Sequence, residues 1–233
     1  MTTQLPLDLR LRDGSSFANF LASGNEEVPA RLRTMISKRE PGNVFLWGER
    51  AAGKTHLLEA ACRAVQEQGG LPRYVPLATP GLHPAVLEDA EHADLVCLDD
   101  VERIAGDRDW EAALFALIER VREQRGRLLS AAIGPPGGIG LRLPDLATRL
   151  AWGTVYQLRA LDDAGKIAAI RLRAKNRGLE VPADAARYIL NRYPRDMVSL
   201  FALLERIDVA SLASRRRVTV PFLKSLERGD RAR

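Results

Sequence analysis

The sequence predicts an α/β protein: a parallel sheet flanked by helices, followed by a small all-helical domain. From residue 43 to residue 158, apolar runs of strand length alternate with helix-length segments, the order expected when a parallel sheet is covered on both faces. After Leu161 the strand signal stops and only helical spacing remains. Between the first apolar run and the first long helix stands Gly48-Glu49-Arg50-Ala51-Ala52-Gly53-Lys54-Thr55, which fits the phosphate-loop pattern G-x-x-x-x-G-K-[ST]. A chain of 233 residues is long enough for one such domain with a smaller appendage.

The first 40 residues have weak periodicity. Gly14-Ser15-Ser16 offers a start for a short helix containing Phe17 and Phe20, and Asn25-Glu26-Glu27 leads into a second helix that stops at the turn Pro41-Gly42. Asn43-Val44-Phe45-Leu46-Trp47 reads as a buried strand, and the helix opening at His56 runs through Gln66. Strand 73–78 precedes a loop and a short helix around Ala85 to Ala90, strand 94–99 precedes a helix over 109–124, and strands 127–132 and 154–158 follow. In the last third, helices are expected over 162–176, 183–192, 195–208 and 221–227, punctuated by Gly178, Pro182, Pro194 and Pro221. The expected organisation is a tail over 1–15, a nucleotide-binding core over 16–160 and a helical domain over 161–233.

A phosphate loop works through its backbone. Gly48 and Gly53 let the chain fold around an anion, and the unpaired N–H groups that open the next helix point at the phosphates. Lys54 then reaches the β and γ oxygens, and the hydroxyl of Thr55 is a hard ligand for Mg²⁺. The motif therefore marks a site for a nucleotide's phosphates with Mg²⁺. Such a site needs a second acidic element at the end of a neighbouring strand, and Leu95-Val96-Cys97-Leu98-Asp99-Asp100 supplies it. Asp99 is the expected Mg²⁺ partner, and Asp100 sits beside the attacking water. Two acidic residues closing a strand would also suit the start of a turn.

At 46 % hydrophobic and 28 % charged, the composition is that of an ordinary soluble protein. No apolar run approaches the roughly 20 residues of a membrane span, and Met1-Thr2-Thr3-Gln4 lacks the features of a signal peptide, so a cytoplasmic location is expected. Cys62 and Cys97 fall in a helix and a strand and read as buried hydrophobes, and the three histidines are scattered without a metal pattern. The net charge of +5 is uneven: residues 1–160 carry 19 Lys and Arg against 21 Asp and Glu, whereas residues 161–233 carry 16 against 9. A surface of that kind meets nucleic acid, nucleotide phosphate or an acidic protein, or is simply a solvated arginine-rich face, since no aromatic residues interleave as stacking platforms.

Together these residues resemble the AAA+ nucleotide-binding module, and within it the ATP-binding part of the bacterial replication initiator DnaA. The matching stretches are Phe17-Ala18-Asn19-Phe20 with Gly24-Asn25, Gly53-Lys54-Thr55-His56-Leu57, Leu98-Asp99-Asp100-Val101, and Leu143 to Gly153. Closer still is the Hda family of DnaA-homologous regulators, which shares variants of Leu95-Val96-Cys97, Ile104-Ala105-Gly106-Asp107, Leu172-Arg173-Ala174 and Val218-Thr219-Val220-Pro221-Phe222. The chain also ends where an initiator would continue into a helix-turn-helix domain. The resemblance implies an AAA+ core with a helical lid, and it adds His56 to the nucleotide-binding set. It implies that Arg149 acts in trans as an arginine finger on a neighbour's nucleotide, and that Arg195, just after Pro194, contacts the protein's own nucleotide. A cation at the start of a helix is locally unfavourable unless an anion compensates it. One departure concerns the fourth strand. Members of the family place a polar residue after it, near the γ-phosphate, whereas this chain reads Leu128-Leu129-Ser130-Ala131-Ala132-Ile133, with Ser130 the only polar side chain.

Gln4-Leu5-Pro6-Leu7-Asp8-Leu9 resembles the peptide by which bacterial replication proteins dock on the sliding clamp, with Gln4 in a polar notch and Leu5, Leu7 and Leu9 in an apolar groove. Alternating leucines equally describe an edge strand. The resemblance thus implies a regulator of DnaA, with the sliding clamp (the β subunit of DNA polymerase III) as second partner, DNA contact indirect or weak, and self-association compatible with the family. It stimulates hydrolysis of DnaA-bound ATP and so prevents re-initiation of replication. The rival expectation is an autonomous AAA+ ATPase, such as a helicase-loading or remodelling factor; a third is a DNA-binding adaptor using the basic helical end.

Overall fold

The computed structural model of the protein describes residues 15–214 and 217–231. The clamp-peptide residues Gln4, Leu5, Leu7 and Leu9 lie outside the described residues. The described residues divide into two compact units, one of residues 15–18, 27–48 and 54–158, the other of residues 19–26, 49–53, 159–214 and 217–231.

In the first unit five parallel strands form one sheet: β1 (Gly42–Trp47), β2 (Pro72–Pro76), β3 (Leu95–Asp99), β4 (Arg127–Ala132) and β5 (Thr154–Gln157), in the order β2-β3-β4-β1-β5. The registers place Phe45 beside Ser130 and Val155, and Leu98 beside Ser130. Strands β3 and β4 are buried along their whole length, which is why they read as continuous apolar runs rather than alternating ones. On one face Phe45, Val96, Leu98, Leu128 and Ala132 pack with Leu114, Leu117, Ile118 and Val121 of α3 (Arg108–Glu123) and with Leu146 and Leu150 of α4 (Pro144–Leu150). The other face is covered by α2 (Lys54–Glu67), against which α1 (Glu27–Ser37) packs. The carboxylate of Asp107 caps α3, accepting from the backbone N–H groups of Asp109 and Trp110.

The second unit contains α5 (Asp163–Asn176), α6 (Ala183–Arg192), α7 (Met197–Ser214) and α8 (Val220–Arg231). Its core is aliphatic with one aromatic plug: Ile170, Val181, Ile189, Leu190, Leu200, Leu204, Ile207 and Leu223 close around Phe222. Asp162 caps α5 by accepting from the Gly165 N–H at 2.7 Å, and Asp196 caps α7 by accepting from the Ser199 N–H at 2.8 Å.

Several expected boundaries move for physical reasons. Residues 15–26 form turns rather than a short helix, because their polar groups are used elsewhere. The Ser15 hydroxyl donates to the Glu59 carboxylate at 2.6 Å, the Phe17 carbonyl accepts from Arg33 at 2.8 Å, and Ser23 and Gly24 adopt positive φ. Strand β2 stops at Pro76 instead of residue 78, and a turn follows in which the Thr79 N–H donates to the Pro76 carbonyl. The short helix expected near residues 85–90 is two 3₁₀ turns, Pro84–Leu87 and Ala90–His92, interrupted where Asp89 takes a left-handed conformation. Helix α4 lies in a segment where no helix was expected. Proline at its first position and Leu146 and Leu150 one turn apart are the signals that mark it.

Candidate functional site

In the first unit β1 delivers Gly48 at its carboxyl end and α2 begins at Lys54. A side chain at Gly48 would place its Cβ 2.4 Å from the carbonyl oxygen of Leu158, so only glycine lets the two backbones lie this close. The Lys54 ammonium donates to the Gly48 carbonyl at 2.7 Å, which folds the lysine back toward the end of β1. No acidic side chain occupies the first turn of α2, so nothing on the helix itself competes with an anion for its N–H groups. The His56 imidazole Nε2 lies 3.0 Å from the Ser16 carbonyl, which tethers the ring to the segment before α1.

Asp99 ends β3 and is 2 % exposed. It accepts hydrogen bonds from the Tyr74 hydroxyl at 2.9 Å, from the Asp100 backbone N–H at 3.1 Å and from the Thr55 hydroxyl. Burial pushes its carboxyl up and outweighs the donors; burial and the neighbouring carboxylate likewise push the Tyr74 phenol up. A hydroxyl and a buried carboxylate already in contact are a donor set of hard oxygens, and the energetic discomfort of a buried carboxylate is what a divalent cation relieves. Thr55 and Asp99 therefore fit Mg²⁺. Asp100 follows with φ of 57° and ψ of 46°, a left-handed conformation that turns the chain sharply off the strand.

Ser130 sits in the middle of β4, beside Phe45 and Leu98, fully buried and with its hydroxyl making no hydrogen bond. Alternation puts it on the face shared by Leu128 and Ala132, and the strand ends on two alanines. The carboxyl end of β4 thus presents no polar side chain.

Arg149 lies in the last turn of α4 and is about one-third exposed. Its Nε is ion-paired to Glu119 of α3 at 2.9 Å and its guanidinium lies 5.9 Å from the Phe115 ring centroid. The guanidinium thus lies between an acidic and an aromatic side chain of α3 while remaining partly exposed. Glu111, one turn before Phe115, is 2 % exposed and accepts from the backbone N–H groups of Gly106, Arg142 and Leu143 at 2.7 to 3.0 Å. Burial acts to raise its carboxyl, but these donors dominate and hold it below the usual carboxylate range. At the other end of α4, the side-chain amide of Asn43 donates to the Leu150 carbonyl at 2.7 Å and the Arg149 carbonyl at 3.3 Å.

In the second unit Gly53 has a φ of 97°, and a Cβ there would stand 2.8 Å from the Phe20 ring. Asn25 ties the same unit together, accepting from the Arg159 N–H at 2.8 Å and donating to its carbonyl at 3.0 Å. Arg195 precedes α7 and is half exposed, its Nη1 donating to Asp163 of α5 at 3.0 Å.

Some features were not foreseen from the sequence. Tyr74, Glu111, Phe115, Glu119 and Asn43 carried no motif; the only sequence signal is the spacing of Glu111, Phe115 and Glu119 along one side of a helix. His92, one of the scattered histidines, lies with Asp89 and Glu91 so that one ligand atom of each falls within 4.8 Å of the others, but Glu91 is already paired to Arg120 at 2.9 Å. Cys62 and Cys97 are free and buried, the Cys97 thiol donating to the Leu58 carbonyl at 3.8 Å, and burial holds that thiol well above its usual range.

Comparison with known proteins gives the fold and a family match within the helical end. AMPPCP-bound DnaA from Aquifex aeolicus is 19 % identical, with 96 % of this chain and 71 % of that one covered and a TM-score of 0.72. Domain III of the Thermotoga maritima initiator DnaA is 17 % identical, with 91 % and 96 % covered and a TM-score of 0.73. A RuvB branch-migration motor from Thermotoga maritima is 21 % identical, with 88 % and 69 % covered and a TM-score of 0.63. The protein has the AAA+ fold, a parallel five-stranded core followed by a helical lid. Residues 163–226 match the family model described as Hda, lid domain.

Proposed function

We propose that this protein regulates the replication initiator DnaA, stimulating hydrolysis of DnaA-bound ATP while docked on the sliding clamp and so preventing re-initiation. The observation that carries the reading is the state of Arg149. Its guanidinium is ion-paired through Nε to Glu119, lies 5.9 Å from the Phe115 ring centroid and stays about one-third exposed, on a chain whose helical domain matches the Hda lid. A guanidinium fixed in this way stabilises the charge that develops on a transferring phosphoryl group, an effect worth about 10³ to 10⁵ in rate where it has been measured in other systems.

The protein's own ADP or ATP is held by Gly48, Gly53, Lys54 and His56, with Arg195 exchanging its Asp163 partner for phosphate, and Thr55 and Asp99 hold Mg²⁺. Bound Mg²⁺ neutralises phosphate charge. Asp100 stands beside the position of an attacking water. The apolar end of β4 argues against efficient turnover at this site and for a conformational role of the bound nucleotide. Gln4, Leu5, Leu7 and Leu9 form the clamp peptide, which makes contact with DNA indirect or weak. This role places the protein in the cytoplasm, and among the described residues no helix is long and apolar enough to cross a membrane. Self-association through the same Arg149 face is compatible with the reading.

The test is single-turnover hydrolysis of ATP preloaded on DnaA, with clamp and DNA present. Arg149→Ala is expected to keep ADP binding and clamp docking while stimulation falls by at least about 10²-fold. Equal stimulation by mutant and wild type removes Arg149 from the mechanism. Rapid turnover by the isolated protein favours the autonomous ATPase instead.

A further inference from the structure

We infer that Asn43 is a positioning residue for Arg149: its buried amide fixes the end of α4 from which the guanidinium projects. The inference rests on the proposed role of Arg149. Helix α4 is seven residues long, and a helix of that length does not hold its own position. Its amino-terminal side is fixed by Glu111, whose carboxylate gathers the N–H groups of Arg142 and Leu143 immediately before the helix. The carboxyl-terminal side is fixed by Asn43, and one of its two acceptors is the carbonyl of Arg149 itself. The chain then comes so close to β1 that a Cβ on Gly153 would lie 1.8 Å from the Asn43 carbonyl oxygen. The last turn of α4 is thereby drawn onto the first residues of β1.

Asn43 is not placed there for stability alone. It is 5 % exposed, and its Oδ1 is buried without a hydrogen-bond partner, so the amide makes its bonds to α4 while leaving an acceptor unsatisfied. Replacing it with leucine, which has the same branching but methyl groups in place of the amide, removes both the bonds to α4 and the orphaned acceptor. The two effects act on stability in opposite directions. They do not offset each other in the position of Arg149, because leucine gives the Arg149 and Leu150 carbonyls no donor. Loss of stimulation without loss of fold is the signature of positioning.

The experiment compares wild type, Asn43→Leu and Arg149→Ala as full-length proteins in single-turnover hydrolysis of ATP preloaded on DnaA, with clamp and DNA present. Regulator concentration is varied to separate maximal stimulation from the half-saturating concentration, and a thermal melt is recorded for each protein. For Asn43→Leu we expect maximal stimulation reduced about tenfold, with the half-saturating concentration within about twofold and the melting temperature within a few degrees of wild type. If Arg149→Ala loses stimulation and a folded Asn43→Leu does not, the positioning role is overturned while the role of Arg149 stands. If Arg149→Ala itself stimulates like wild type, both fall. Should Asn43→Leu fail to fold, Asn43→Thr takes its place: it suits a strand, but its hydroxyl is too short to bond both carbonyls. The same loss of maximal stimulation is then expected, and wild-type stimulation by folded Asn43→Thr overturns the inference.

Discussion

Single residues decide whether the phosphate loop can form and whether it can grip. Lys54 donates to the Gly48 carbonyl, so its ammonium is held at the end of β1. Lys54→Ala is expected to weaken ADP or ATP binding by at least about tenfold in a calorimetric titration of the folded variant, since a charge-assisted phosphate contact is worth more than 1.4 kcal/mol. Gly48→Ala acts differently, through the fold: its methyl group would enter the 2.4 Å gap to the Leu158 carbonyl oxygen. A loss of about 1–3 kcal/mol in denaturant unfolding is expected. The loop residues were legible in the sequence because their chemistry is written in eight consecutive positions. Tyr74 was not, although it donates to Asp99, because that contact exists only once β2 and β3 lie side by side. Asn43 was read simply as the first residue of a strand, and the carbonyl it helps hold is 106 positions away.

At the scale of elements, α3 does more than cover the sheet. Glu111, Phe115, Glu119 and Arg122 follow one another along its side, and each meets something on or next to α4: the backbone before it, the Arg149 guanidinium twice, and the Trp152 ring at 5.1 Å. Glu111→Gln leaves buried backbone donors short of an acceptor and is expected to lower stability by about 1–3 kcal/mol at neutral pH. The pH dependence has a definite sign. The folded protein holds the Glu111 carboxyl below its ordinary value, so its contribution is complete above the unfolded value of about 4.3 and is lost as pH falls through the lower folded value. Melting temperatures of wild type and Glu111→Gln should therefore converge on acidification through that window; a gap that stays constant would show that ionised Glu111 is not the source. The strands and most helices were legible because their periodicity is local. The helix expected near Phe17 failed because side chains of α1 and α2 take up that segment's polar groups, which no local pattern reveals.

For the whole molecule, the tail and the core are predicted to act independently. Changing Gln4 and Leu5 to alanine should abolish clamp binding while leaving nucleotide affinity and melting temperature nearly intact, because a terminal peptide adds little to a packed core. Normal clamp binding by the double mutant would show that this segment is not the docking peptide. The concentration of positive charge in residues 161–233 was visible by counting, but the ion pairs Arg177–Glu205, Arg192–Glu227 and Arg195–Asp163, which consume part of it, were not. The strand order carries a consequence for synthesis. Strand β1 is made early, yet its two neighbours in the sheet are β4 and β5, and its pairing with β2 and β3 is only through β4. On the ribosome, the strand that leads into the phosphate loop must wait for residues 127–132 and then 154–157 to be translated, a delay on the order of seconds at ordinary elongation rates. A nascent chain stalled before β4 therefore has the entire phosphate-loop motif and no sheet to hold it, and the folding of that loop belongs to the end of translation rather than to its beginning.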